Sequence, residues 1–235
     1  MTPAELAAYV RKKTGTNATT LVDADILIYA NVHMDDIAKE IAKTHRGFFG
    51  REFTYNLVGD QRAYDTELTT LNGIRSVEAK IDGTNWKVLT PADLVSLEQP
   101  SDETSIKAKF SGQYRYEIWQ KKIYIYCGEA IIAVTSGLKV RCDIYPKHLS
   151  GLSEATDDMS KDPTATDRGF PRAVHELLAR RIVIDWKESK DKPIPLTQTE
   201  QKYEYDLAKA IAALRDSNQD EEIVVATPYN DGSQY

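Results

Sequence analysis

Apolar residues recur at helical spacing near both ends of the chain and alternate with polar residues in the middle. At the N-terminal end, Thr2-Pro3-Ala4-Glu5 is a capping-box sequence with proline at the first helical position. It predicts a short helix that runs to about Lys13 and ends at Gly15. A longer helix is predicted from Asp23 or Asp25, because one apolar stripe follows it. Its members are Ile26, Ala30, Met34, Ile37 and Ile41.

Residues 168–218 predict two more helices, joined by a proline-containing turn. Asp167 is a candidate cap for the first of them, and Pro171 suits its first turn. Pro193 and Pro195 end that helix, and a capping box at 197–200 starts the next. Each of these two helices has an apolar stripe, and the pair cannot bury both stripes without other helices. We therefore expect the two ends of the chain to pack together. The expected contacts join Ile26, Ile37 and Ile41 to Leu177, Ile182, Leu207 and Ile211.

The middle of the chain has the period of β-strands. Alternating apolar residues begin at Arg51, and Asp82-Gly83 has the composition of a hairpin turn. A second turn is predicted at Gln120-Lys121, within the most β-like part of the chain, and a polar loop at 100–112. These patterns predict one antiparallel unit over about 51–145.

Together the patterns predict an α+β fold. It consists of an α-helical bundle built from the N- and C-terminal helices, an antiparallel β insertion and an extended C-terminal arm. The predicted boundaries are 1–50 for the N-terminal helices, 51–145 for the β insertion, 146–218 for a loop and the C-terminal helical hairpin, and 219–235 for the arm.

Two groups of residues are candidates for contacts with other molecules. Tyrosine suits faces with one apolar and one wet side, so the surplus of tyrosine on the β-strands predicts contacts between subunits. The candidates are Tyr114, Tyr116, Tyr124 and Tyr126. In the C-terminal arm, β-branched residues and tyrosines predict a segment that binds a partner. The candidates there are Ile223, Val224, Val225, Tyr229 and Tyr235.

Composition narrows the classes of protein. The 235 residues carry a formal charge of −6, with both signs scattered along the chain, which argues against a dedicated nucleic-acid surface. Cys127 and Cys142 lie in strand-like runs and are expected as buried thiols. We also expect a soluble protein made in the cytoplasm. The start of the chain does not resemble a signal peptide, and no apolar run approaches the roughly 18 residues that span a membrane.

No motif predicts catalysis, a metal site or a cofactor. His175-Glu176 resembles the start of a zinc-protease motif, but Ala179 stands where the second histidine belongs. His33 and His45 lie along one helix without a third ligand at suitable spacing. The sequence contains neither a phosphate-binding P-loop nor a Gly-x-Ser-x-Gly elbow. We therefore expect no enzyme, although a hydrolase that uses two distant carboxylates stays open as an alternative.

Several short motifs, in this order, resemble the head-to-tail adaptor proteins of tailed bacteriophages. The segment 25–41 is similar to the second helix of that family, and Gly59-Asp60-Gln61-Arg62-Ala63-Tyr64 is similar to its Gly-x-Gln-x-Tyr segment at a strand junction. Ile74 to Glu78 is similar to a strand of the family, and Asp82-Gly83 to the turn after it. Ile144-Tyr145-Pro146 and Phe170-Pro171 are similar to the return towards the helices. The chain departs from the family at 65–69, where the family often has Leu-Pro. The resemblance covers nearly the whole chain.

The resemblance implies a structural virion protein of the neck. Such adaptors form a homo-oligomeric ring of about twelve copies beneath the portal. The ring binds the portal protein and a tail or nozzle protein, and DNA passes through it without specific binding. No membrane is involved. A tail-completion or stopper ring protein is the alternative within the same class.

Overall fold

A computed structural model describes residues 1–66, 68, 70–92, 102–152, 158–162, 164, 168–190 and 196–219. The helices in this part of the chain are α1 (Pro3–Thr14), α2 (Asp23–Thr44), α3 (Glu103–Lys109), α4 (His175–Glu188) and α5 (Leu196–Gln219). A short 3-10 helix, Arg172–Val174, precedes α4. The strands are β1 (Gly50–Leu57), β2 (Ala63–Asp65), β3 (Thr70–Ala79), β4 (Lys87–Pro91), β5 (Tyr114–Trp119), β6 (Lys122–Cys127) and β7 (Val134–Ile144).

The two predicted N-terminal helices are confirmed. At the start of α1, the amide of Glu5 donates to Thr2 Oγ1 at 3.2 Å, and the Thr2 amide donates to Glu5 Oε2 at 2.9 Å. Gly15 ends the helix in the left-handed conformation, with φ of 69°, which glycine adopts without steric cost. α2 begins at Asp23 as predicted. Of the C-terminal signals, Asp167, Pro193 and Pro195 lie outside the described residues.

Helices from both ends of the chain share one hydrophobic core, which we call the helical cluster (α1, α2, α4 and α5). The expected association of α2 with α4 and α5 is confirmed, because the predicted residues all belong to this core or pack against it. They are Ile26, Ile37, Ile41, Leu177, Ile182, Ile211 and, partly buried, Leu207. Within it, Ile26, Ile41 and Ile182 are fully buried.

The predicted fold class is nevertheless wrong. The β region is not a small antiparallel insertion in a helical bundle, but a curled mixed sheet that forms half a barrel. Within the described residues, seven strands lie in the order β1-β7-β3-β4-β5-β6-β2. β4 and β5 pair in parallel, with Thr90 opposite Arg115. Sequence alternation shows which residues share a face, but it does not show which strands pair or in which direction.

The connection between β1 and β2 explains why the sheet curls. These strands are the two edges of the order, so six spacings of about 4.8 Å would separate them by about 29 Å in a flat sheet. The chain from Leu57 to Ala63 takes six steps and spans at most about 21 Å. The linking residues also turn back, since the Gln61 amide donates to the Val58 carbonyl at 3.1 Å. The edges are therefore held near each other.

Side-chain hydrogen bonds of Tyr64 and Arg62 stabilise this connection. Both residues lie in the segment 59–64, which resembles the Gly-x-Gln-x-Tyr segment. The buried Tyr64 hydroxyl donates to the Gln61 carbonyl at 2.6 Å. The Arg62 guanidinium binds both carboxylate oxygens of Glu103, at 2.6 and 2.7 Å, and donates to the Ile125 carbonyl. Its hydrogen bond holds the pKa of Glu103 at about 2. Glu103 begins α3, a helix that occupies part of the predicted 100–112 loop, so that prediction is wrong.

The concave side of the sheet has a hydrophobic core of its own. Its buried members are Leu57, Tyr64, Val77, Ala79, Ile81, Leu89, Tyr116, Ile123, Ile125, Cys127, Ile131, Leu138 and Val140. Cys127 and Cys142 are buried free thiols, as predicted. The polypeptide chain enters and leaves the sheet at one place, because Gly50 at the start of β1 pairs with Asp143 near the end of β7. We call strands β1–β7 together the curled sheet.

Candidate docking surfaces

The antiparallel hairpin of β5 and β6 contains all four tyrosines that the sequence nominated for subunit contacts. Register places Tyr114 opposite Cys127 and Tyr116 opposite Ile125. Because side chains alternate along a strand, Tyr114 and Tyr116 share the concave face with those partners. Tyr124 and Tyr126 lie on the opposite face. The four side chains therefore do not form one surface.

Local contacts account for much of the buried area of these tyrosines. Tyr116 is 6% exposed and belongs to the core of the curled sheet. The Tyr126 ring stacks on Phe110, which follows α3, at a centroid distance of 5.2 Å. The Tyr114 hydroxyl donates to Glu129 Oε1 at 2.8 Å, which raises the pKa of Tyr114 to about 12. Tyr116 is enclosed in its own subunit, whereas Tyr114, Tyr124 and Tyr126 stay half-buried.

The exposed apolar surface of the hairpin lies at its tip, which sequence reasoning did not single out. Ile118 and Trp119 are 49% and 53% exposed. Gln120 and Lys121 both have positive φ, of 50° and 62°, as a tight two-residue turn requires. Trp119 leans on Tyr124 at a centroid distance of 6.4 Å. We call residues 118–122 the hairpin tip. The sequence feature that could have predicted this exposed surface is the apolar pair directly before a tight turn, because the turn of a hairpin lies beyond the core.

A groove of about 680 Å³ separates α2 from α5. Its apolar lining is Ile37, Tyr203, Leu207, Ala208, Ile211 and Ala212. Ile37, Tyr203 and Ile211 are buried, so the accessible apolar surface of the groove comes from Leu207, Ala208 and Ala212 on α5. Charged residues from both helices form the rim. They are Asp36, Lys39 and Glu40 on α2, Glu200 and Glu204 on α5, and Arg181 on α4. We call this the α2–α5 groove.

A polar network at one end of the groove ties three helices together. His33 on α2 is buried, and its Nε2 lies 2.8 Å from Asp185 Oδ2 on α4. Arg181 Nε lies 3.2 Å from Asp185 Oδ1, and its guanidinium carbon lies 5.8 Å from the centre of the Tyr203 ring on α5. Burial opposes ionisation of Asp185, but His33 and Arg181 outweigh it and lower its pKa. His33 is therefore paired within the protein.

His175, the other buried histidine, has a structural setting. Its Nε2 lies 2.8 Å from the Phe170 carbonyl, and the two rings stack at 5.9 Å. Burial lowers the pKa of His175, so the neutral form is favoured. Among the described residues, no group of three or more His, Cys, Asp or Glu side chains has the geometry of a metal site.

The residues predicted for the C-terminal arm, Ile223, Val224, Val225, Tyr229 and Tyr235, lie outside the described residues. None of the helices in the described part of the chain is both long and apolar enough to cross a lipid bilayer. No protein-family model matches the chain, and no curated protein matches it.

Proposed function

We propose that this protein is a structural virion component, a head-to-tail adaptor that forms a ring beneath the portal, links the capsid to the tail and lines the DNA passage. One observation carries the proposal. The chain completes two hydrophobic cores, yet it leaves an apolar hairpin tip exposed and an apolar groove open. Exposed apolar surfaces of this kind mark sites of protein contact, and a ring subunit needs two of them.

The resemblance to phage adaptors supports the same proposal. Its motifs fall at positions that shape this fold. Gly59 to Tyr64 closes the curled sheet, and Asp82-Gly83 turns the chain between β3 and β4. In that turn the Asp82 carboxylate accepts the amides of Thr84 and Asn85 at 2.9 and 2.8 Å.

Charge is compatible with a DNA conduit. The formal charge of −6 gives a net repulsion towards DNA phosphates, and a passage must release DNA rather than hold it. In this proposal, DNA passes without specific binding, residues 219–235 bind the portal, and a tail or nozzle protein binds the opposite side of the ring.

Binding to the portal protein of the same phage tests the proposal. Full-length chain should co-sediment with portal rings, and native mass spectrometry should give about twelve copies per portal. A chain lacking residues 219–235 should keep its helical circular dichroism but lose portal binding, because the β-branched triplet and the two tyrosines are gone.

Matched substitutions separate the arm's side chains from its length. Replacing Tyr229 and Tyr235 with alanine should weaken binding, whereas replacing Asn230 and Asp231 with alanine should leave it nearly unchanged. A chain that binds no portal, or binds it as a monomer, contradicts the proposal. Binding only to a preformed complex of the portal and another ring identifies a tail-completion or stopper protein instead.

A further inference from the structure

The hairpin tip has the features of a rigid apolar knob. Ile123 and Ile125 of β6 are fully buried in the curled sheet, so the base of the hairpin is fixed. Beyond that base, Ile118 and Trp119 are about half exposed and, as neighbours on one strand, lie on opposite faces of the hairpin. Tryptophan in such a position supplies large contact area at a low cost in side-chain entropy, which is typical of interface hot spots.

The α2–α5 groove has the complementary shape. Its volume of about 680 Å³ lies within the range of clefts that enclose a drug-sized ligand, about 300–1,000 Å³, so it can receive two apolar side chains. Its accessible apolar lining comes from Leu207, Ala208 and Ala212 on α5. Insertion of the hairpin tip would remove apolar surface of both the tip and the groove from water, which favours association.

The charges of the two surfaces are also complementary. The rim of the groove carries four carboxylates and two cations, which leaves two negative charges. The hairpin tip carries two positive charges, Lys121 and Lys122, next to Trp119. Opposite charge at the rim of an apolar contact steers association and fixes its orientation.

We propose that the hairpin tip of one copy inserts into the α2–α5 groove of a neighbouring copy, with Trp119 against Leu207 and Ala208. The two surfaces do not meet within one subunit, because the tip is exposed and the groove is open. Contacts between different surfaces of identical subunits are heterologous, and they generate rings when the rotation closes. The inference rests on the proposed function, since it names the subunit contact of that ring.

Site-directed disulfide cross-linking tests the contact even when free subunits associate weakly. An Ile118→Cys variant and an Ala208→Cys variant, distinguished by tags of different mass, are mixed at high concentration under mild oxidation. The native thiols Cys127 and Cys142 are buried and contribute little background. Val88→Cys mixed with Ala208→Cys is the matched control, because Val88 is also exposed but lies on β4.

Insertion of the tip should make the Ile118–Ala208 heterodimer form at least about tenfold faster than the control pair, because the contact raises the effective concentration of the two thiols. Changing Lys121 and Lys122 to glutamate in the first variant should remove that advantage. Changing Glu200 and Glu204 to lysine in the second should restore it, which a misfolded hairpin could not produce.

Equal rates for the two pairs overturn the proposed contact, and so does a charge reversal that has no effect. A chain that forms rings on the portal but shows equal rates has its subunit contact elsewhere, and the adaptor function stands. A chain that binds the portal only as a monomer contradicts the ring itself. The two failures are therefore distinguishable.

Discussion

The helical cluster and the curled sheet are two cores built from differently distributed parts of the chain. The helical cluster joins α1 and α2 to α4 and α5, and more than a hundred residues separate α2 from α4. The curled sheet uses only the continuous segment 50–144 and closes through the short link at 58–62. Closure of a short loop costs less entropy than closure of a long one. We infer that the sheet forms as a local unit, whereas the helical cluster requires both ends of the chain.

The largest expected effect comes from placing a charge in the helical cluster. Ile182 is fully buried, so Ile182→Asp should cost several kcal/mol, a large part of a typical stability of about 5–15 kcal/mol. Hydrogen exchange should show α2, α4 and α5 losing protection while the strands of the curled sheet keep theirs.

Ile182→Val is the control for that experiment and should cost only about 0.5–1.5 kcal/mol. Loss of protection in both regions together would show that the two cores form one cooperative unit. A variant Ile182→Asp that unfolds cooperatively with unchanged protection would show that the position is not core.

A smaller effect is expected at the closure of the curled sheet. Tyr64→Phe removes the hydroxyl that donates to the Gln61 carbonyl and should lower the free energy of unfolding by about 1–2 kcal/mol. The loss should appear as a lower urea midpoint and as faster exchange in β2 and β6. Tyr124→Phe is the matched control, because its hydroxyl makes no hydrogen bond among the described residues. Equal losses in the two variants would remove the special role of Tyr64.

The two regions should also differ in their response to acid. Burial holds the pKa of His175 below its ordinary value of 6.5, so the unfolded chain takes up the proton first as pH falls. The contribution of His175 is therefore complete above about pH 6.5 and declines below it. In the curled sheet, Glu103 has an ordinary pKa of 4.5 and a folded pKa of about 2, so its contribution is lost only as pH falls from 4.5 towards 2.

Hydrogen exchange at pH 7 and pH 5 checks this difference. Protection should fall in α4 while it persists in β2 and β6. His175→Gln should flatten the response of α4, whereas His148→Gln, a change at an exposed histidine, should leave it in place. A fall of equal size in both regions would contradict the assignment.

The smallest effect is expected on the outer surface of the curled sheet. Lys80 Nζ and Lys139 Nζ lie 5.0 and 4.5 Å from the centre of the Trp86 ring. Exposed cation–π pairs contribute about 0.5–1 kcal/mol each, so Trp86→Leu should cost about 1 kcal/mol in urea titrations. Trp119→Leu at the hairpin tip should cost less. The reverse order would show that the lysines do not stabilise the ring.

Local sequence patterns, which involve residues close together in the chain, predicted the N-terminal helices. The capping box at Thr2 and Glu5 and the stripe of α2 are local features, and local hydrogen bonds and packing decide them. The pairing of β1 with β7 and of β2 with β6 joins residues far apart in sequence, and alternation does not encode such partners. α3 was missed because it is short and buries none of its own side chains.

The candidate surfaces were harder to predict than the cores. Exposure of Ile118 and Trp119 depends on how far the hairpin extends beyond the interior of the sheet. The α2–α5 groove depends on the angle and separation of two helices, which the stripes at Ile37 and Leu207 do not fix. The abundance of tyrosine suggested contacts between subunits, but Tyr116 is enclosed in its own subunit and the half-buried Tyr126 stacks on Phe110.

The pairing of Gly50 with Asp143 has a consequence for how this architecture can diversify. Residues directly opposite each other in an antiparallel pair are about 5 Å apart, so the whole sheet leaves the helices and returns to them through one narrow neck. Strands can be lengthened, added or exchanged beyond that neck without changing the distance that α2 and α4 must bridge. The sheet can therefore be changed as a module while the helical base stays the same, and its two adjacent ends allow it to be grafted onto another scaffold.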